Sequence, residues 1–273
     1  MTGLAAVPDQ TLVDRALERL ATGACSAADL SRDVLGLPNA PAAVAERIVV
    51  ALLGADPRVR QLEDGRWSAV AVAGTSPLIE ECAFAVLDVE TTGSRPSEDD
   101  RVTDVAVVVV QGERRDLVFE SLVDPGRHIP PWITEMTGIS DATVAGAPAF
   151  DAIADPLLQA LAGRVFTAHN ARFDWGFISA EFSRTRGLAL VGPRLCTVRL
   201  ARALLPELPS RGLDPLMQHF GIENQARHRA AGDALATAEL LGRLILMARE
   251  RGARTWTDLE TLTASARRSR RAP

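Results

Sequence analysis

The stretch AVLDVETTG, residues 85–93, decides the fold of the central part of this chain. Its apolar first half predicts a buried strand, because branched apolar residues bounded by polar turn residues suit the middle of a sheet. Asp88 and Glu90 then interrupt the apolar run, and their spacing places both carboxylates on one face of the strand. Two ionised acids this close are costly unless a cation compensates them, and hard divalent cations prefer carboxylate oxygens. Considered alone, acids that simply face water at a strand end explain the pair equally well.

The composition is that of an ordinary globular protein. The chain has 273 residues, of which 47% are hydrophobic and 24% charged, enough for a medium domain and a small one. No apolar run reaches the roughly 18 residues of a membrane span, and the first residues lack a signal pattern. We therefore expect a cytoplasmic protein with no membrane partner. The scattered Cys25, Cys82 and Cys196 predict neither a disulfide framework nor a cysteine-based metal site.

Charge is distributed unevenly along the chain. The net charge is −5, every basic residue is Arg, and residues 78–247 carry 16 Arg against 23 Asp and Glu. A protein that binds nucleic acid is usually basic. An acidic central region is easier to reconcile with such a partner if metal ions neutralise several of its acids.

Residues 1–73 predict a small first domain of three helices and a hairpin. Leucines at helical spacing indicate a first helix, Ser26 begins a capping signal for a second, and Pro41 suits the first turn of a third. The pair Asp64-Gly65 between two short extended runs predicts a hairpin. Three helices followed by a hairpin resemble a winged helix.

The usual role of a winged helix is duplex binding through a helix in the major groove. The third predicted helix offers only Arg47 as a basic residue, next to Glu46. Contact with a protein or a purely structural role is therefore favoured, and duplex binding stays open. Residues 74–79 are predicted to form the linker to the next domain.

Residues 80–250 predict an α/β domain with a mixed sheet. Closely spaced strands over residues 83–87, 101–110 and 117–123 indicate an antiparallel meander, and residues 164–168 indicate a fourth strand. Helices are predicted within residues 130–162 and over residues 170–184, 197–205, 213–220 and 230–250. Residues 251–273 end in a basic run and are predicted to form a solvated C-terminal tail.

The motif HNARFD, residues 169–174, follows the fourth predicted strand. Asn170 is predicted as the N-cap of the next helix, which places Asp174 just over one turn into that helix. The carboxyl end of a strand in an open α/β sheet is where ligands usually bind. Phe173 could stack on a base, although packing in the core is favoured for a lone Phe.

The motif HRAAGD, residues 228–233, joins a histidine and an acid. On one helix the two side chains would point some 140° apart. They can serve one site only if His228 lies in the loop before a helix and Asp233 in its first turns. An exposed loop histidine and an acid favoured by the helix dipole explain each residue equally well when each is considered alone.

Together, the motifs Asp-x-Glu, His-Asn-x-x-Phe-Asp and His-x4-Asp, in this order, resemble the DEDDh family of 3′–5′ exonucleases, over roughly residues 80–247. This family includes the proofreading epsilon subunit of bacterial replicative polymerase. Residues 133–139 look like the family segment that packs on the terminal nucleotide, and residues 213–222 look like its late helix. A related branch uses Tyr in place of the histidine, and this chain has no Tyr.

The resemblance implies an RNase H-like fold, a mixed five-stranded sheet flanked by helices, and two Mg²⁺ or Mn²⁺ ions. The implied ligands and general base are, by position, Asp88, Glu90, Asp174 and Asp233 for the metal ions and His228 for the base. The implied contacts to the terminal nucleotide are Thr91, Thr92, Met136, Thr137 and Phe173. His169 is expected to be structural, since one base suffices.

The sequence therefore predicts a metal-dependent exonuclease that hydrolyses phosphodiester bonds at 3′ ends of single-stranded nucleic acid and releases 5′-mononucleotides. DNA is favoured over RNA as substrate, with a role in proofreading or DNA repair. A DNA polymerase or a repair protein could dock on the first domain. The alternative is a catalytically silent module that binds nucleic acid or polymerase.

Overall fold

Runs of helices and runs of strands follow one another along the chain. The computed structural model describes residues 3–8, 12–21, 23–54, 56, 59–69, 76–224 and 226–268. The strands are β1 (Ala5–Pro8), β2 (Val59–Gln61), β3 (Trp67–Ala69), β4 (Phe84–Thr91), β5 (Val102–Gln111), β6 (Arg114–Leu122), β7 (Val165–Ala168), β8 (Leu188–Val191) and β9 (Arg194–Cys196). The helices are α1 (Leu12–Ala21), α2 (Ala27–Asp33), α3 (Ala42–Leu53), α4 (Pro131–Thr137), α5 (Asp141–Val144), α6 (Phe150–Leu161), α7 (Arg172–Arg186), α8 (Thr197–Leu204), α9 (Leu213–Phe220), α10 (Ala230–Glu250) and α11 (Trp256–Arg268).

The elements divide into two units. The larger unit comprises Met1–Val7 and Ser76–Pro273, and the smaller one comprises Pro8–Thr75. The larger unit contains a five-stranded sheet in the order β6-β5-β4-β7-β9. The predicted α/β class with a mixed five-stranded sheet is confirmed.

The sheet combines a meander with parallel strands. Strands β4, β5 and β6 pair antiparallel in chain order, as predicted, while β7 pairs parallel to β4 and β9 parallel to β7. Strand β7 pairs with β4 only as far as Val86, so the second half of β4 has β5 alone as a neighbour. The carboxyl end of β4 is therefore open on one side, and this opening lies at the same sheet edge as the carboxyl ends of β7 and β9.

Apolar side chains cover both faces of this sheet. One face packs against α8, α10 and α11 through a cluster that includes Leu200, Leu241 and Leu259. The other face packs against α6 and α7 through a cluster that includes Leu157 and Phe177. Because β5 is buried on both faces, it consists mostly of valine rather than of alternating polar and apolar residues.

The smaller unit consists of α1, α2, α3 and the β2–β3 hairpin. The capping box predicted at Ser26 is present, with the hydroxyl of Ser26 and the carboxylate of Asp29 each bonded to the other residue's N–H. The antiparallel hairpin is present as well and buries Trp67 in the core of this unit. Its assignment to the winged-helix class stays a prediction.

The structure corrects both ends of the predicted larger domain. The N–H of Leu4 donates to the carbonyl of Arg164, and the Leu4 side chain is buried with α6 and α7, so residues 3–7 belong to the larger unit rather than to a domain over 1–73. Of the predicted linker 74–79, residues 74 and 75 lie outside the described residues. The remainder is held in place, because Trp256 and Ile79 donate N–H groups to Pro77 and Arg254, respectively.

Residues 251–268 are not a tail up to the end of α11. Trp256 and Leu259 of α11 are buried in the core that covers one face of the sheet. The segment was predicted as a tail because most of its residues are polar, but two large apolar side chains on one helical face are buried. The basic run that ends the chain, residues 269–273, lies outside the described residues. Among the described helices, none is both long enough and apolar enough to cross a membrane.

Candidate active site

The open end of β4 carries the first two predicted acids. Asp88 and Glu90 alternate with the buried Leu87 and Val89, so both carboxylates leave the strand on the same face, as predicted. Glu90 is 9% exposed and pairs in register with Asp104 of β5. The register shifts after Glu90, and this irregularity ends the regular pairing next to the acids.

Asp174 enters the same place from α7. It is the third residue of the helix and only 3% exposed. The backbone N–H groups of Val89 and of Asp174 itself act to lower the pKa of its carboxyl, but burial outweighs them and raises it to about 8. Asp174 therefore lies beside the half of β4 that lacks β7 as a neighbour.

The predicted N-cap of α7 is wrong. Asn170 has a left-handed backbone with φ 70°, and Ala171 occupies the N-cap position without a side-chain cap. Asn tolerates this conformation better than most residues because its short polar side chain makes local contacts. The left-handed turn at Asn170 lets the chain leave β7 and enter α7 with Asp174 turned toward β4.

Asp233 and His228 come from the beginning of α10 and the loop before it. The carboxylate of Asp233 accepts from the Asn224 amide at 2.6 Å and from the His228 backbone N–H at 3.1 Å. His228 has a left-handed backbone with φ 56°. Single ligand atoms of Glu90, His228 and Asp233 lie within 4.8 Å of one another. The structure therefore brings His228 and Asp233 together as the sequence predicted, with the histidine in the loop.

Gly232 allows this loop to approach the helix. A Cβ at position 232 would overlap the carbonyl oxygen of Ala226, which is backbone and cannot move aside freely. A glycine is therefore required where the loop that holds Asn224 and His228 folds back on α10. The sequence HRAAGD contains this signal, but only the structure identifies the atom that requires it.

The surroundings of the four acids disfavour their ionised form unless a cation is present. Burial first, and then the charges of Asp174 and Glu90, raise the pKa of Asp88 well above its ordinary range. Burial, with the charge of Asp233, raises the pKa of Glu90 to about 7, and burial also raises the pKa of Asp174 and that of Asp233. Crowded, poorly solvated carboxylates with oxygen donors fit a hard divalent cation. The four predicted ligands thus fit such a metal site.

Asp104 and Arg229 form a support that the sequence analysis missed. Asp104 is buried, accepts from Arg229 Nε at 2.9 Å and from the Ala230 N–H at 3.3 Å, and so satisfies the first turn of α10. The available signal was a lone acid inside the valine-rich strand β5, since a buried carboxylate requires a partner. Asp104 connects β5 to the residue that follows His228.

The structure gives Thr91 and Thr92 structural roles. The Thr91 hydroxyl donates to the carbonyl of Gly93 at 2.5 Å. The N–H of Thr92 donates to the carbonyl of Arg101, and its hydroxyl accepts from the Arg101 N–H at 3.0 Å. The backbone N–H of Thr92 thus already has a protein partner, and contacts of Thr91 and Thr92 with a terminal nucleotide stay a prediction.

The other predicted nucleotide contacts differ in accessibility. Met136 on α4 is 47% exposed, whereas Thr137 is buried and donates its hydroxyl to the carbonyl of Ile133. The ring of Phe173 is half-buried and lies 4.9 Å from that of Phe177, centroid to centroid. Only Met136 of these three presents a largely exposed side chain, and the binding role of all three stays a prediction.

A family comparison agrees with this arrangement. The exonuclease family model RNase T matches residues 85–241, more than half of the chain. The chain belongs to this exonuclease family. The matched region contains Asp88, Glu90, Asp174, His228 and Asp233.

Several of the curated relatives are named as DNA polymerase III proteins. A DNA polymerase III PolC-type protein of Clostridium perfringens is 40% identical over 159 residues, which are 58% of this chain and 11% of that protein. A DNA polymerase III subunit epsilon-like protein of Rhodobacter capsulatus is 37% identical over 201 residues, which are 70% of this chain and 27% of that protein. The chain spans between 11% and 31% of the length of the curated relatives it matches.

Solved structures share the fold. Exonuclease X, solved in complex with 5′-overhanging duplex DNA, matches with a TM-score of 0.53 and 25% identity and covers 66% of this chain and 99% of its own. Escherichia coli exonuclease I, solved with a dT13 oligonucleotide, matches with a TM-score of 0.54 and 21% identity, over 62% of this chain and 42% of that one. The RNase H-like fold predicted for the exonuclease domain is confirmed.

Proposed function

We propose that this protein is a metal-dependent 3′–5′ exonuclease that releases 5′-mononucleotides from single-stranded DNA. The observation that carries the proposal is the convergence of four buried or partly buried carboxylates and His228 at the open end of β4. The order of these residues along the chain matches the DEDDh pattern, whose members attack the 3′ end. The proposed metal ligands are Asp88, Glu90, Asp174 and Asp233.

Each side chain has a distinct task in this proposal. When bound, a pair of divalent cations would neutralise the crowded carboxylates and stabilise the charge that develops on the attacking and leaving oxygens of a phosphodiester. The carboxylate of Asp233 is held by two donors, the His228 backbone N–H and the Asn224 amide. These bonds fix Asp233 before any ligand arrives, which reduces the cost of organising the site.

His228 is proposed as the general base. Its imidazole lies next to the carboxylates of Glu90 and Asp233 at the rim of the site, where it can accept the proton of an attacking water. Its position in a loop, rather than on α10, leaves the ring able to turn toward the substrate and then toward solvent. The N–H bond from His228 to Asp233 couples the position of the ring to a proposed metal ligand.

DNA is the proposed substrate because of the relatives. The relatives include DNA polymerase III proteins, and one structural neighbour was solved with duplex DNA. We extend this to a role in proofreading or DNA repair. The smaller unit would contact a protein partner such as a polymerase, since α3 exposes Val44 and Val50 and carries only Arg47 as a basic residue. A winged-helix class for this unit is part of the same proposal.

Digestion of end-labelled strands tests the proposal. With Mn²⁺ or Mg²⁺, a 5′-labelled DNA strand should give a ladder that shortens from the 3′ end, and a 3′-labelled strand should release its labelled mononucleotide at once. RNA of the same sequence should be degraded more slowly. Release from the 5′ end, or faster degradation of RNA, would overturn the direction or the substrate, respectively.

A further inference from the structure

A pocket of about 590 Å³ opens at the carboxyl ends of β7 and β9. His169 follows β7 directly, and its Nδ1 lies 2.9 Å from the hydroxyl of Thr197, which follows β9. The lining residues are His169, Asn170, Val198, Arg202, Pro209, Ser210, Arg211, Gly212 and Leu213. A cavity of this size is in the range of small-molecule and nucleotide sites.

Two connections place this pocket beside the acids. Asn170, which lines it, lies in the turn that leads into α7 and thus to Asp174. Leu213, on the other side, precedes Asp214, whose carboxylate pairs with Arg227 next to His228. The pocket therefore borders both the helix that carries one proposed metal ligand and the loop that carries the proposed base.

The pocket contains positive charge without a matching acid. Arg202 is half-buried and makes no hydrogen bond or ion pair with any residue in the described part of the chain. Arg211 donates only to the backbone carbonyls of Leu205 and Pro206, and its Nε is buried without a partner. No carboxylate is among the lining residues. In an acidic protein, two guanidinium groups left without acids beside a cavity indicate an anionic ligand.

Buried polar atoms in the same pocket also indicate a bound ligand. His169 Nε2 and Arg211 Nε are buried and have no hydrogen-bond partner in the described residues. The exposed Asn170 and Ser210 add an amide and a hydroxyl to the lining. Burial lowers the pKa of His169 to about 4, so the ring is neutral at neutral pH. Unpartnered buried polar atoms are costly and require an explanation, which a bound ligand would supply.

We propose that this pocket binds a phosphate group of a nucleotide, with Arg202 and Arg211 as its cationic contacts. The favoured source is an internal phosphodiester of the strand whose 3′ end occupies the acid cluster. This inference rests on the proposed function for the identity of the strand. The guanidinium groups suit phosphate because their planar donors match two oxygens at once. Such a site would hold the strand in position while its terminal nucleotide is cleaved.

Equilibrium binding of metal-free protein tests this site without hydrolysis. Fluorescence anisotropy in EDTA would measure the Kd of a labelled oligothymidylate as a function of salt concentration. Arg202→Gln should raise Kd roughly 3- to 10-fold and reduce the slope of log K against log salt by about 0.7, the share of one phosphate contact in a single strand. Arg202→Lys, which keeps the charge, should restore the salt slope.

A matched variant controls for charge alone. Arg114→Gln removes the same charge from an 81% exposed side chain at the start of β6, at the opposite edge of the sheet. It should leave both Kd and the salt slope within error. An equal effect of Arg202→Gln and Arg114→Gln, or no effect of Arg202→Gln, would overturn the proposal.

Competition identifies the source of the phosphate. If inorganic phosphate and a 5′-mononucleotide bind equally to wild type and Arg202→Gln while the strand does not, the ligand is the internal phosphodiester. If the mononucleotide also loses affinity in the variant, the pocket accepts a free nucleotide phosphate. Because no metal and no turnover are involved, an Arg202-dependent strand affinity would stand even if the exonuclease assay failed.

Discussion

Glu90 and Asp104 lie opposite each other in the register of β4 and β5, but the Arg229 side chain bonds only to Asp104. Asp104 also accepts an N–H from the first turn of α10, so its charge is compensated by protein groups. Glu90 has no hydrogen-bond partner among the described residues, and its pKa is raised to about 7. Asp104 thus supports the start of α10, whereas Glu90 is available to the proposed metal site.

Glu90→Gln is expected to stabilise the metal-free protein above neutral pH. In the folded protein the pKa of Glu90 is about 7, against 4.5 as its ordinary value in the unfolded chain. The stability that the protonated form contributes is therefore complete below about pH 4.5 and is lost as pH rises through about 7. Melting temperature in EDTA should fall across this window for wild type and fall less for Glu90→Gln.

The exposed Glu113→Gln on the β5–β6 turn serves as the control and should follow the wild-type profile. Saturating Mn²⁺ should flatten the wild-type profile, because a bound cation compensates the ionised acids. Identical pH profiles for wild type and Glu90→Gln would show that ionisation of Glu90 does not destabilise the folded protein.

Asp104→Asn is expected to destabilise the protein. The substitution leaves an acceptor but removes the charge that Arg229 and the N–H of Ala230 share, a loss of about 1–3 kcal/mol in the free energy of unfolding. Asp116→Asn, which removes an acid from a largely exposed pair with Arg114, should cost much less. Urea unfolding of both variants measures the difference, and equal stabilities would mean that Asp104 does not support α10.

His228→Asn is expected to reduce kcat by on the order of 10²–10⁴, the share of general acid–base catalysis. Asn is preferable to Ala here because it tolerates the left-handed backbone at position 228. Steady-state kinetics of both proteins at saturating Mn²⁺, repeated across a range of pH, measures the loss. A variant within about threefold of wild type at every pH would exclude His228 as the base.

Gly232→Ala is expected to reduce both activity and stability. Gly to Ala inside a helix normally stabilises by about 1 kcal/mol, but a Cβ at 232 overlaps the Ala226 carbonyl and would displace the His228 loop. Gly242→Ala on the same helix is the control, since its Cβ meets only the flexible end of Arg115. If both variants have the same kcat and melting temperature, the close approach at Gly232 is not a constraint on the site.

Sequence reasoning succeeded where side-chain periodicity and motif spacing carry the information. The strand with Asp88 and Glu90, the meander and the helix that begins just before Asp233 follow from local patterns that the structure confirms. Motif spacing predicted that Asp174 follows the carboxyl end of a strand, where ligands usually bind in an open α/β sheet. Helix geometry predicted that His228 must lie in the loop before the helix if it serves one site with Asp233.

The missed features depend on contacts between distant residues. Strand β9 has only three residues and is defined by its pairing with β7, which no local pattern reveals. Helix α11 depends on the burial of Trp256 and Leu259 in a core formed by other elements. Asp104 and Arg229 are 125 positions apart. The sequence could therefore predict that a buried Asp104 requires a partner, but not that this partner is Arg229.

Calorimetric titration with Mn²⁺ tests the central claim most directly, namely that Asp88, Glu90, Asp174 and Asp233 form a divalent metal site. Wild type should bind two ions and release protons, because acids with raised pKa values must ionise. Asp174→Asn should lose at least one ion, whereas Asp151→Asn, an exposed control on α6, should bind as wild type does. Identical isotherms for wild type and Asp174→Asn, or no Mn²⁺ binding by a protein that still degrades DNA, would contradict the account.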